Sequence, residues 1–257
     1  MSAPLSQFFG FEGLRLAYRL RAAAPDAVRP GIVWLGGFKS DMQSAKALAL
    51  DERAARDGRA FLRFDYSGHG ESEGAFTDGT VGAWARQSLA LIRALTSGPQ
   101  IFVGSSMGAW IALLAARALA ASGEEARIAG MALIAPAVDF TESLLWARLP
   151  PDIRRRIETE GLWQRQSEYS DTPYPITRAL IEDGRANCLL GAPLRAYGPV
   201  HILQGMADTD VPWRHAMRVV EALTLDPVVI TLVKDAGHRL SQPEHIALLL
   251  GAVDALG

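Results

Sequence analysis

Gly104-Ser105-Ser106-Met107-Gly108 sets one serine, Ser106, between glycines at both two-residue offsets. That spacing suits a hydroxyl held on a tight turn between a strand and a helix. Small neighbours let the two elements pack closely, and a helix N-terminus favours the negative charge that develops in acyl transfer. The context fits, with apolar Ile101, Phe102 and Val103 before the turn and a helical pattern after it. Ser105 lacks the paired glycines and is the weaker candidate. A phosphate-binding turn is the plainer alternative, but the segment has no G-x-x-x-x-G-K-[ST] spacing.

A serine hydroxyl needs a base to take its proton, and the base needs a partner that holds its tautomer. Gly205-Met206-Ala207-Asp208-Thr209-Asp210-Val211-Pro212 follows the apolar run 200–204, and Lys234-Asp235-Ala236-Gly237-His238 follows the run 228–233. We expect His238 as general base and Asp208 as orienting acid, in the chain order serine, acid, histidine. Asp210 is the rival acid; its other role would be to cap a helix beginning near Pro212. Among the remaining histidines, His201 reads as core within a strand, and His215 and His245 as surface or capping residues on helices. His69, in Asp65-Tyr66-Ser67-Gly68-His69-Gly70-Glu71-Ser72, reads as a structural residue of a turn. Two main-chain N–H groups must receive the oxyanion. Met107, the residue after the nucleophile, supplies one. The loop Gly36-Gly37-Phe38-Lys39-Ser40 supplies the other, assigned to Phe38 with Gly37 as the neighbouring alternative.

Short strand-like runs alternate with longer helical ones, the rhythm of βαβ units on a parallel sheet. Residues 8–20 read as two antiparallel strands around Glu12-Gly13. Strands are expected at 32–35, 60–64, 100–103, 128–134, 200–204 and 228–233, and helices at 43–56, 81–95, 106–121, 213–223 and 243–256. The expected fold is α/β, a mostly parallel central sheet with helices on both faces, in one domain spanning residues 1–257. Between 139 and 193 the alternation fails, giving two or more helices and a turn-rich segment at 171–175. This insertion would lie over the carboxyl end of the sheet, where open α/β folds bind ligands, and we expect residues 139–193 to form a lid. Leu145, Leu149, Ile153 and Ile157 recur at four-residue spacing, with Trp146 and Trp163 nearby. Trp146, Leu149 and Trp163 are candidate substrate contacts, although such a stripe can also simply dock a lid on the body.

With these motifs placed, the chain resembles the α/β-hydrolase superfamily of serine hydrolases. Within it, the chain is similar to the group of the mitochondrial palmitoyl-protein thioesterase also described as a mycophenolic acid acyl-glucuronide esterase. The resemblance rests on Arg63-Phe64-Asp65-Tyr66-Ser67-Gly68, Gly98-Pro99-Gln100, Val103-Gly104-Ser105-Ser106, Gly108 with Trp110, and Gly205-Met206 through Val211-Pro212-Trp213. In the insertion it includes Leu149-Pro150, Gly161 with Trp163, Tyr169-Ser170 and Cys188-Leu189-Leu190. It implies the α/β-hydrolase fold with a helical lid, and a serine esterase or thioesterase that uses Ser106, Asp208 and His238 on acyl conjugates. An epoxide hydrolase or dehalogenase would carry Asp at the position of Ser106. A carbon–carbon bond hydrolase or perhydrolase would share the triad, and a non-catalytic binding protein could share the scaffold.

Composition narrows the rest. The chain has 257 residues, 49% hydrophobic and 21% charged, with a formal net charge of −2, so no strong field favours nucleic acid or an anionic membrane. Arg154, Arg155 and Arg156 read as a solvated helix face, with a carboxylate such as a glucuronide's as the alternative partner. The lone Cys188 excludes an internal disulfide and a cysteine-rich zinc site, and reads as a buried small apolar residue. The expected partner is a small-molecule acyl ester or thioester, with no metal or organic cofactor, no nucleic acid and no membrane; oligomeric state is open. Residues 1–10 lack a basic start and a long apolar stretch, and no arginine-rich transit segment precedes Leu14, so a cytoplasmic location is expected.

Overall fold

The computed structural model of the chain describes residues 6–166 and 173–257. β1 (Gln7–Phe11) and β2 (Leu14–Arg21) form an antiparallel hairpin. Its turn residues Glu12 and Gly13 both have positive φ, 49° and 81°, the conformation that a two-residue hairpin turn favours. The chain then alternates through β3 (Gly31–Leu35), α1 (Ala45–Arg56), β4 (Phe61–Phe64), α2 (Val81–Leu95), β5 (Gln100–Ser105), α3 (Met107–Ala121) and β6 (Ile128–Ile134). After the insertion come β9 (Val200–Gly205), α6 (Trp213–Ala222), β10 (Val228–Val233) and α7 (Pro243–Asp254). The sheet order is β1-β2-β4-β3-β5-β6-β9-β10, antiparallel through the β2–β4 pair and parallel from β4 onward.

Every residue of β3 and β4 is buried, as strands covered on both faces require. One face packs Val33, Leu62 and Phe102 against α2 and α3 through Trp84, Trp110 and Leu114. The other packs Ile32, Ile101 and Val103 against α1 and α7 through Leu50 and Leu249. α3 lies at the centre, with eleven of its fifteen residues buried. Its apolar surface therefore belongs to the core, and no helix among the described residues is long and apolar enough to cross a membrane.

The insertion departs from expectation in detail. Residues 141–148 form irregular helical turns, followed by α4 (Pro151–Glu160), β7 (Leu162–Arg165), β8 (Tyr174–Thr177) and α5 (Arg178–Ala186). The two helices were expected, but the small β7–β8 sheet was not. Tyr174 and Pro175, read as turn residues, pair with Arg165 and Gln164; Asp171 and Thr172, like Tyr169 and Ser170, lie outside the described residues. The stripe from Leu145 to Ile157 does not share one helix, because Pro150 and Pro151 begin α4 afresh. Leu145, Leu149 and Ile157 are nevertheless buried in the same core as α2 and α3, the docking role. Arg156 pairs with Glu160, and Arg154 lies over the Trp146 ring while donating to the Ala147 carbonyl. Two single-residue readings are corrected. Cys188 is exposed rather than buried, and its thiol is pushed up to about 11 by partial desolvation and by the charges of Asp139 and Glu142. His215 is buried, because its face of α6 turns inward and its Nε2 donates to the Val138 carbonyl at 2.7 Å.

Candidate active site

β5 delivers Ser106 to the start of α3 with φ 55° and ψ −116°, backbone angles that a residue with a side chain rarely adopts. The turn is locked from the side of β6: Ser106 donates its N–H to the Ile134 carbonyl at 2.8 Å, and its own carbonyl accepts from Ala109 and Ala137. The flanking glycines are steric requirements. A Cβ on Gly104 would lie 2.6 Å from the Gly108 carbonyl, and one on Gly108 only 2.0 Å from the Leu35 carbonyl.

The loops after β9 and β10 bring the other two side chains to this point. They are stitched together by Ala207 donating to the Ala236 carbonyl at 3.0 Å, and Gly205 fits there only because it has no Cβ. Asp208 is buried; its Oδ1 accepts the N–H groups of Asp210 (2.9 Å) and Val211 (2.8 Å). Its Oδ2 lies 2.8 Å from His238 Nδ1, and His238 Nε2 lies 3.1 Å from Ser106 Oγ. A carboxylate only accepts, so Nδ1 carries the proton and Nε2 presents its lone pair to the serine hydroxyl. Asp210 donates its N–H to Asp208, and it does not cap α6, whose N-cap is Pro212. Ligand atoms of Asp208, Asp210 and His238 come within 4.8 Å of one another, but both Asp208 oxygens already accept hydrogen bonds. The His238 loop is tied down by Lys46, whose Nζ donates to the Arg239 carbonyl; burial, with the Arg239 charge adding to it, lowers its pKa to about 8.

The loop after β3 runs along Ser106. A Cβ on Gly37 would sit 3.3 Å from the Ser105 carbonyl and 3.5 Å from Ser106 Cβ. Phe38 follows, and its N–H has no acceptor among the described residues. The Met107 N–H, in the first turn of α3, has no intrahelical acceptor either. Lys39, at φ 56°, donates its N–H to His69 Nε2 at 3.2 Å. His69 Nδ1 in turn donates to the Ser67 carbonyl at 3.1 Å, and the ring is buried against Tyr66, Phe76 and Trp84. Burial lowers its pKa to about 4, so the imidazole stays neutral and able to accept. His69 is thus structural, as expected, and what it supports is the loop carrying Phe38.

The Phe38 ring packs against Phe76 of the body and against Phe140 and Tyr174 of the insertion, with centroids 4.9, 5.6 and 5.7 Å away. Phe140 and Tyr174 escaped the sequence reading, since only folding brings them to Phe38. Trp146 instead stacks with Arg185 at 4.6 Å, Trp163 pairs with Ile176 across β7–β8, and Leu149 is core. An open cavity of about 490 Å³ lies elsewhere, at the C-terminal end of α3 between Arg117 and Arg195, and none of Ser106, Asp208 and His238 lines it.

Comparison with known proteins agrees with this architecture. Residues 14–247 match the Alpha/beta hydrolase family. The bovine palmitoyl-protein thioesterase ABHD10, mitochondrial, is 36% identical over 228 residues, covering 88% of this chain and 72% of that protein. A solved putative hydrolase from Agrobacterium vitis S4 is 44% identical with a TM-score of 0.92, covering 98% of this chain and 97% of its own. The mouse alpha/beta hydrolase domain-containing protein 10 is 32% identical with a TM-score of 0.87, covering 98% of both chains. The expectation of a cytoplasmic location is overturned by the bovine and human relatives, which are named mitochondrial. It rested on the few residues ahead of Leu14, too short a stretch to report a compartment.

Proposed function

The chain belongs to the alpha/beta hydrolase family, and from that premise we propose that it is a serine hydrolase cleaving carboxylic esters and thioesters through an acyl-serine intermediate. The observation that carries this reading is the unbroken line from Asp208 through His238 to the hydroxyl of Ser106, with the serine at positive φ. Ser106 Oγ attacks the acyl carbonyl while its proton passes to His238 Nε2. The Asp208 carboxylate stabilises the imidazolium so formed. Negative charge on the carbonyl oxygen is received by the N–H groups of Met107 and Phe38, and the leaving alcohol or thiol departs with the proton held by His238. Water, deprotonated by the same imidazole, then releases the acid and restores the serine.

Residues 139–193 act as the lid of this single domain. Phe140 and Tyr174, packed on Phe38, form with it the apolar wall nearest the oxyanion loop, suited to an acyl chain. Relatives named palmitoyl-protein thioesterases support long-chain S-acyl thioesters as the substrate class. The test is a panel of p-nitrophenyl esters of increasing chain length beside palmitoyl thioesters, each with wild type and Ser106→Ala. The reading expects turnover of both bond types, rising with chain length, and a loss on the order of 10⁶ in kcat for the variant. Turnover confined to a diketone would contradict it.

A further inference from the structure

Gly36 and Gly37 open the loop that carries Phe38, and a peptide between two glycines has no side chain to hold its plane. Across a trans peptide the carbonyl of one residue and the N–H of the next point opposite ways, so holding one aims the other. Three successive peptides of this loop are held in that manner. The Gly36 carbonyl accepts from Tyr66 Oη at 3.1 Å. The Gly37 carbonyl accepts from the Ser40 N–H at 3.1 Å, which sends the Phe38 N–H the other way, where it meets no acceptor among the described residues. The Lys39 N–H donates to His69 Nε2 at 3.2 Å, and Lys39 itself sits at φ 56°, an angle that a side chain disfavours. The middle bond is local to the loop, whereas the outer two both come from the turn after β4. That turn is anchored on α2: the Ser67 N–H donates to Gln87 Oε1 at 2.9 Å, and the Ser67 carbonyl accepts from His69 Nδ1 at 3.1 Å and Trp84 Nε1 at 3.2 Å. Tyr66 is buried in it, with Phe64 and His69 edge-on at 5.6 and 5.5 Å and Trp84 tilted at 6.2 Å. Burial pushes the Tyr66 pKa well upward, with the Asp65 charge adding to it, so the hydroxyl keeps its proton and donates.

We propose that Tyr66 is a positioning residue for acyl transfer: its hydroxyl holds the Gly36–Gly37 peptide and thereby keeps the Phe38 N–H aimed at the developing oxyanion. The proposal rests on the acyl-serine reading given above. An oxyanion donor contributes when it is already in place as charge develops, because a donor that must first turn into position gives up much of what it supplies. The peptide between Gly36 and Gly37 is the least restrained part of the loop and lies directly before the donor. Tyr66 secures that side and His69 the far side, so neither hold replaces the other. The Tyr66 ring alone would fill its place in the core; the hydroxyl is the part the loop uses. Tyr66 acts through the main chain and not by touching the acyl group.

The test compares an ester with its thiono analogue, C=S in place of C=O, in the wild type and in Tyr66→Phe, each rate taken relative to hydrolysis by hydroxide alone. Sulfur is a larger and weaker acceptor, so donors placed for an oxyanion favour the ester. Tyr66→Phe is expected to lower kcat on the ester about 10–10²-fold with KM within about twofold, the loss of a donor displaced by a fraction of about 1 Å. The preference for ester over thiono ester should narrow by about the same factor. A role confined to packing would lower Tm and leave that preference as it was. Wild-type kcat in a folded Tyr66→Phe overturns the proposal, and so does a fall in kcat with the preference unchanged. A wild type that shows no preference for the ester overturns it without recourse to any variant. A wild type inert on every ester contradicts the serine-hydrolase reading itself, and this proposal falls with it; ester turnover that ignores the Tyr66 hydroxyl overturns this proposal alone.

Discussion

Gly108→Ala probes whether the spacing between α3 and β3 sets the catalytic geometry. The added Cβ would lie 2.0 Å from the Leu35 carbonyl oxygen and 2.6 Å from that of Gly36, both main chain. Ordinary contact begins near 3.4 Å, so the helix start and the loop must separate by about 1.4 Å along that line. Gly108 adjoins Met107, and Gly36 leads through Gly37 to Phe38, so the displacement falls between the two proposed oxyanion donors. Misplacement by about 1 Å costs on the order of 10²-fold, and loss of one oxyanion donor about 10²–10³-fold. Overpacking of this kind costs a further ~1–3 kcal/mol of stability. Steady-state hydrolysis of a p-nitrophenyl ester should therefore show kcat down by about 10²–10³ with KM little changed, in a protein whose circular dichroism is native and whose Tm is lowered. Gly37→Ala is the graded companion. Its Cβ would meet Ser105 and Ser106 only at 3.3 and 3.5 Å, and the loss should be smaller. A folded Gly108→Ala enzyme with wild-type kcat would refute the reasoning.

Three further outcomes are expected. Asp208→Asn keeps its one oxygen on the Asp210 and Val211 N–H groups and turns a donor NH2 towards His238 Nδ1, favouring the wrong tautomer, and should lower kcat on the order of 10⁴ while ester binding persists; stopped-flow assays read the split. His69→Leu removes the acceptor of the Lys39 N–H and should lower kcat with KM unchanged, whereas His69→Gln, which keeps an acceptor, should recover part of the loss. Equal kcat in the two variants would argue against a positioning role. Burial lowers His69 and His215 from 6.5 to about 4 in the folded state. Between those values the unfolded chain binds more protons than the native one, so stability is full above pH 6.5 and is lost as pH falls towards 4. The ceiling is about 3 kcal/mol for each histidine, and urea unfolding at pH 7, 6 and 5 should find His215→Gln less pH-dependent than wild type.

The central strands were legible because they are buried on both faces and read as unbroken apolar runs such as Ile32-Val33-Trp34-Leu35, bounded by glycine and proline. The meeting of Ser106, Asp208 and His238 at one point, the geometry on which the proposed function rests, was legible because turn chemistry leaves a local mark: glycines at fixed offsets and acid and histidine just past apolar strands. What failed depends on contacts distant in sequence. Nothing local tells that the His215 face of α6 turns towards Val138, or that the turn after α5 leaves Cys188 on the surface. The four-residue spacing from Leu145 to Ile157 persists across Pro150-Pro151, where the backbone restarts, so spacing alone could not tell that the stripe is split between two elements. Trp146, Leu149 and Trp163 were chosen as substrate contacts for size and proximity in sequence; that Phe140 and Tyr174 reach Phe38 only folding could reveal.

The proposed activity requires one hydroxyl made nucleophilic by one imidazole. Incubation with a fluorophosphonate, followed by peptide mapping in a mass spectrometer, reads this directly. One adduct on Ser106 is predicted, absent from Ser106→Ala and strongly slowed in His238→Ala. An adduct on Ser105, or labelling of Ser106 at an undiminished rate without His238, would contradict it.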